Sequence, residues 1–128
     1  PAALEVARGN AERLGLADRV QFMAGSVPED GFFDLVVANL PYVAERDWPS
    51  LQPEVTQWEP REALLAGPDG LDAIRALIAT LESPGALALE VGEGQAPVVA
   101  ELARGAGLER TGVRRDLAGI ERVVLGER

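Results

Sequence analysis

The 128 residues predict an α/β fold: a doubly wound, mostly parallel sheet, with an antiparallel strand near its carboxyl end. Three observations predict it. Helical and strand periodicities alternate along the chain. The strand-like runs are near-continuously apolar, as in sheets covered on both faces by helices. Two short strands close the sequence with only a hairpin connection between them. The length supports one domain with a sizeable core, and no repeat, low-complexity tract or linker divides it.

The elements follow in order. Leu4, Ala7, Ala11 and Leu14 recur at helical spacing, and Gly15 follows as a C-terminal cap. "RVQFMAG" reads as a strand, Val20 to Ala24, ended by Gly25. "FFDLVVAN" is a second strand. From Pro41 to Pro68 a long excursion rich in Pro, Glu and Trp has room for one short helical turn; loops of such length inside a compact domain are usually functional. "GPDGLDAIRALIATLESPG" is a helix with Asp69 as its cap, an apolar face of Leu71, Ile74, Ile78 and Leu81, and "SPG" as its stop. "ALALEVG" is a strand and "QAPVVAELARGAG" a helix closed by glycines. "TGVRRD" and "RVVLGE" are the last two strands, joined through "LAGIE".

Composition narrows the chemistry. There is no Cys and no His, which removes disulfides, thiolates, histidine acid–base catalysis and imidazole metal ligands together, and no metal site is expected. All twelve basic residues are Arg, and the net charge is −9. Proteins that grip nucleic acid usually carry a basic footprint, so a protein or small-molecule partner is expected instead. No apolar run approaches the length of a membrane span and no basic-then-apolar leader is present, so the default expectation is a cytoplasmic location with no membrane partner.

The richest stretch is "FDLVVANLPYVAERD", where an apolar strand runs straight into Asn39-Leu40-Pro41-Tyr42. Open α/β sheets place ligands at the carboxyl ends of their strands. Asn39 offers an acceptor oxygen and two donor hydrogens on one plane, and the Leu40 carbonyl is a second acceptor. Pro41 fixes its own φ, adds no donor and biases Leu40 toward an extended backbone. Tyr42 supplies a flat face. Two acceptors on a rigid turn suit a planar NH2 group, each taking one N–H. If the electrophile is a methyl sulfonium, the task is in-line transfer, and positioning alone can contribute about 7–11 kcal/mol in favourable cases. The same four residues also make an ordinary strand-ending turn with Tyr42 packed on the core.

These residues resemble the Asn-Pro-Pro-Tyr amino-methyltransferases, which use S-adenosylmethionine. Within them the chain is similar to the bacterial peptide chain release factor glutamine N5-methyltransferases, the HemK/PrmC family. The similarity runs through "FDLVVANLPYV", "LQPEVTQWEPREALLAGPDGLDAIRALI", "GALALEVGEGQ" and "DLAGIERVVLG", the second being the most specific. The resemblance implies a class I S-adenosylmethionine-dependent methyltransferase (Rossmann-like) sheet, with a release factor as protein substrate. It implies that Asn39, Leu40, Pro41 and Tyr42 bind the glutamine amide, Asn39, Pro41 and Tyr42 forming the catalytic turn, with Asn39 also near the cofactor. The turn "AGSVPED" would contact adenine through Ser26 and Val27; the family often has Asp where Ser26 stands. Leu40 is a second departure, similar to the variant in ribosomal RNA adenine dimethyltransferases, though its carbonyl can do the same work. Glu59, Arg61 and Glu90 also match family positions. The first two make equally good sense as an exposed loop pair, and Glu90 as a partner for neighbouring backbone N–H groups.

The resemblance also implies parts that this sequence does not contain. The family cradles its cofactor with a Gly-rich turn after the first strand and an acidic residue ending the second. "EVGEGQ" has Gly92 and Gly94 but follows a different strand and is not that loop. The chain corresponds to the C-terminal portion of the catalytic domain. In the family strand order 3-2-1-4-5-7-6, the missing first two strands separate "VQFMA" from "DLVVA". They are expected from a longer parent chain or from another chain, unless the segment repacks, since a bare strand edge is costly. Two other functions remain open: an adenine N6 amino-methyltransferase acting on RNA or DNA, which needs a flipped or single-stranded base, and a non-catalytic interaction module.

Overall fold

The computed structural model describes residues 2–25, 32–82 and 84–128. In chain order its elements are α1 (Ala2–Arg13), β1 (Leu35–Ala38), α2 (Pro53–Trp58), α3 (Asp72–Thr80), β2 (Ala86–Glu90), α4 (Ala96–Gly105), β3 (Arg110–Arg115) and β4 (Glu121–Glu127). The strands form one α/β sheet of order β1-β2-β4-β3. β1 and β2 pair in parallel, whereas β4 runs antiparallel to both β2 and β3. β1, β2 and β3 therefore point one way, and β4 lies reversed between two of them. The hairpin that inserts it turns on Asp116, whose carboxylate accepts the Ala118 and Ile120 N–H groups at 2.9 and 3.0 Å.

The core lies on one face of this sheet. Leu87 and Leu89 of β2 and Val124 of β4 pack under Ile74 and Leu77 of α3 and Val99, Ala100 and Ala103 of α4. Alternation along each strand puts Val36 and Ala38 of β1 on this face as well. Gly126 permits the closest approach of Leu108, because a Cβ there would come within 2.9 Å of the leucine's Cδ1.

The opposite face differs from the expected two-sided cover. Leu35 and Val37 of β1 are 57% and 72% exposed there, and the outer edge of β1 carries no strand among the described residues. The strand expected at Val20–Ala24 is likewise not formed. These residues run outside any sheet, with Val20 and Met23 exposed. An apolar run becomes a strand only where a ladder partner takes its N–H and C=O groups, and in the expected order its one neighbour is a strand this sequence does not contain. Helix α1 ends as anticipated: Gly15 adopts φ 66°, Leu16 N–H reaches Ala11 O at 2.8 Å and Gly15 N–H reaches Glu12 O at 3.0 Å, closing a Schellman motif. The Arg8 guanidinium lies 5.9 Å above the Phe22 ring.

Asp69 does not cap α3 directly, because that helix begins three residues later. Its carboxylate instead accepts the Leu71 N–H at 3.1 Å and takes both guanidinium nitrogens of Arg75 at 3.0 and 2.6 Å. This fork holds the Asp69 carboxyl below its ordinary pKa. Among the described residues no helix is long and apolar enough to cross a membrane.

Candidate functional site

Because β1 and β2 are parallel and Ala38 pairs with Leu89, their carboxyl ends coincide, and the chain emerges from the sheet as Asn39 beside Glu90. Asn39 is exposed, and among the described residues no hydrogen bond engages its carboxamide. Leu40 is half-buried and packs against the core cluster, which anchors the turn from below. Pro41 follows, and Tyr42 bends back over the sheet end to donate its phenol O–H to Glu90 Oε1 at 3.2 Å. Burial, then the Glu90 charge and hydrogen bond, push the Tyr42 phenol above its ordinary pKa, with Arg122 opposing. Glu90 thus accepts from a side chain.

Beyond Tyr42 the excursion is closed at its base. Val43 N–H donates to Leu64 O at 2.9 Å and Ala66 N–H to Val43 O at 3.0 Å, an isolated parallel bridge that returns the chain to its starting point. Glu45 N–H adds a bond to Gly67 O at 3.0 Å. Inside the excursion lie α2 and two 3-10 turns, Glu45–Ser50 and Arg61–Ala63, more helix than the single turn anticipated. Glu59 and Arg61 are both exposed. They form no ion pair with each other among the described residues; the Arg61 guanidinium stacks 5.0 Å above the Trp48 ring instead. Ser26 and Val27 lie outside the described residues. Among the described residues no group of three or more Asp or Glu side chains gathers closely enough to hold a metal ion.

One residue of the site escapes sequence reasoning. Gln95, just before α4, donates Nε2 to Tyr42 O at 2.9 Å and more distantly to Gly70 O and Asp69 O at 3.3 and 3.4 Å, while its Oε1 accepts the Gly92 N–H at 2.8 Å. Its partners stand up to 53 positions away in sequence, so no local pattern announces it. The structure thus brings Asn39, Leu40, Pro41, Tyr42 and Glu90 together at one sheet end and leaves Glu59 and Arg61 on a separate exposed loop. An exposed carboxamide beside a half-buried phenol, with neither imidazole nor thiol at hand, is suited to orienting a planar polar group.

No family model matches this chain. Over nearly its whole length, however, it is similar to curated release factor glutamine methyltransferases. The protein of that name from Cereibacter sphaeroides is 45% identical over 132 residues, covering 97% of this chain and 47% of the relative. The one from Rhodospirillum rubrum is 42% identical across 100% of this chain and 41% of its own length. The one from Bradyrhizobium diazoefficiens is 47% identical across 95% and 43%. The chain spans less than half the length of these relatives.

Proposed function

We propose that this chain belongs to the release factor glutamine methyltransferases and forms the substrate side, the C-terminal portion, of their catalytic domain. One observation carries the proposal: 45% identity across 97% of the chain to a protein named for that activity. The strand order supports the class I fold, because β1-β2-β4-β3 with only β4 reversed is the order of the last four strands in the methyltransferase sheet. The bare edge and face of β1 then belong against the remainder of the domain, supplied by a parent chain. The working location is the cytoplasm, where release factors act.

In this proposal Asn39 Oδ1 and the Leu40 carbonyl each accept one N–H of the substrate glutamine amide. Two acceptors fix the plane of the nitrogen and draw its hydrogens outward, which raises its electron density. Tyr42, tied to Glu90, walls the pocket, and Pro41 keeps the turn stiff. S-adenosylmethionine, when bound, supplies the methyl group on a sulfonium centre. The exposed carboxamide of Asn39, which no hydrogen bond engages among the described residues, fits the polar edge of that cofactor. Ser26 and Val27 are assigned to the adenine by resemblance alone, and the Gly-rich turn and acidic ribose ligand of the family would come from outside this sequence. The 128-residue segment alone is therefore expected not to bind S-adenosylmethionine tightly; micromolar binding in a calorimetric titration refutes that expectation.

The test of the function uses the complete protein with methyl-labelled cofactor and, in parallel, release factor and RNA. Label on a release factor glutamine supports the proposal, and label in RNA alone overturns it. Asn39→Ala should lower methyl transfer about 10²-fold or more while leaving the unfolding midpoint unchanged, since the side chain is exposed.

A further inference from the structure

The segment Glu90-Val91-Gly92-Glu93-Gly94-Gln95 leads from β2 to α4, and the site described above uses its first and last residues. Its two ends converge on one partner. Glu90 Oε1 holds the phenol hydrogen of Tyr42 at 3.2 Å, and Gln95 Nε2 holds the Tyr42 backbone carbonyl at 2.9 Å. We infer that this segment is a clamp on Tyr42 and that Gln95 is a positioning residue for the substrate turn, fixing where Asn39-Leu40-Pro41-Tyr42 stands relative to the sheet. The inference rests on the functional role given to that turn.

Donor and acceptor chemistry makes Gln95 hard to replace. Three carbonyl oxygens, from Asp69, Gly70 and Tyr42, surround Nε2, and one N–H, from Gly92, faces Oε1. Only a group with donors on one atom and an acceptor on the next satisfies both sides, and the reversed amide would set oxygen against three oxygens. The neighbouring glycines are shaped around this contact. A Cβ on Gly92 would stand 2.9 Å from Gln95 Oε1 and 3.3 Å from Tyr42 Cδ2. A Cβ on Gly70, where φ is +77°, would overlap the Tyr42 carbonyl oxygen and stand 2.8 Å from Gln95 Nε2. One amide therefore cross-links the end of β1, the loop entering α3 and the loop entering α4, and α3 and α4 are the helices seated on the core.

The sequence offers an unusually clean probe. Tyr42 is the single tyrosine, and with all basic residues Arg and no Cys, no other side chain titrates near pH 10. Ultraviolet titration of the 128-residue chain should show tyrosinate forming above the ordinary value. Gln95→Met, neutral and of similar length, should lower it toward that value as Tyr42 leaves its half-buried seat and Glu90. In the complete protein, Gln95→Met should lower kcat for release factor methylation about 10- to 100-fold per folded molecule, with the KM for S-adenosylmethionine unchanged. Gln95→Glu, which sets a carboxylate against the carbonyl cluster, should be worse than Gln95→Met. Gln95→Asn, one carbon shorter, should fall between wild type and Gln95→Met and serves where the methionine variant does not fold.

Thermal melts give the folded fraction. Variants that lose stability yet keep wild-type kcat per folded molecule, or an unmoved tyrosine titration in Gln95→Met, overturn the clamp. A wild-type chain with an ordinary tyrosine pKa overturns it too. A complete protein that methylates no release factor, while Gln95→Met still shifts the tyrosine, overturns the functional proposal and leaves the clamp on Tyr42 standing.

Discussion

The two faces of β1 have similar sequences and opposite surroundings. Along β1, Val36 and Ala38 pack into the core cluster, while Leu35 and Val37, one residue removed in each case, stand 57% and 72% exposed. In a soluble strand with one wet face the alternation is normally apolar inside and polar outside. Here both sets are apolar. The difference teaches that β1 is composed for a cover on both sides, and that the described residues supply one. The site turn grows from this half-covered strand, so its rigidity comes from Leu40 in the core cluster and from Glu90 and Gln95 at the sheet end.

The contrast can be broken or sharpened by substitution. The largest effect belongs to the covered face. Leu89→Ala removes a side chain with 0% exposure and should cost about 2–5 kcal/mol in denaturant unfolding; a cost below about 1 kcal/mol would mean that the face is less tightly packed than its burial indicates. Next comes Gly70→Ala, which joins a positive φ to an overlap with the Tyr42 carbonyl and should cost about 1–3 kcal/mol. Its damage should also appear as a moved Tyr42 titration. On the bare face, Val37→Thr should change the stability of this chain by less than about 0.5 kcal/mol. If a longer parent chain supplies the cover, as proposed, the same change there should cost about 1–3 kcal/mol, because the added hydroxyl would be buried without a partner. Equal costs in the two settings would show that the missing cover does not come from the parent.

The smallest effect is a pH dependence. Tyr42 holds its proton more tightly in the folded chain than its ordinary value near 10. Its contribution to stability is therefore complete below about pH 10 and is lost as the pH rises from there through the folded value. Tyr42→Phe should flatten the alkaline limb of the stability profile, and an unaltered limb would separate that limb from the phenol.

Much of this was legible in sequence where the signals are local. The α3 and α4 periodicities, the glycine after α1, the final hairpin and the apolar run ending at Asn39 all follow from neighbours within a few residues. What escaped is long-range. Val20–Ala24 has the composition of a strand, but ladder formation depends on a partner, and composition cannot supply one. Asp69 has the identity of a cap, yet Arg75 competes for its carboxylate and the helix starts later. Arg61 sits two residues from Glu59 and turns to Trp48 instead. At the site, Asn39 through Tyr42 could be picked out as a turn with free acceptors, whereas Gln95 could not, because three of its four contacts lie at least 25 positions away.

The bridge between Val43 and Leu65 carries a consequence of its own. By tying the excursion shut at its neck, it separates whatever happens along the rim from the geometry at the base. The span between those two residues can lengthen, shorten or exchange its tryptophans without re-aiming the turn below, much as a detachable handle leaves the tool head in place. A change within that span should therefore leave Asn39 and Tyr42 where they stand. A graft of the span alone should transplant preference for one macromolecular surface over another while the chemistry beneath it stays the same.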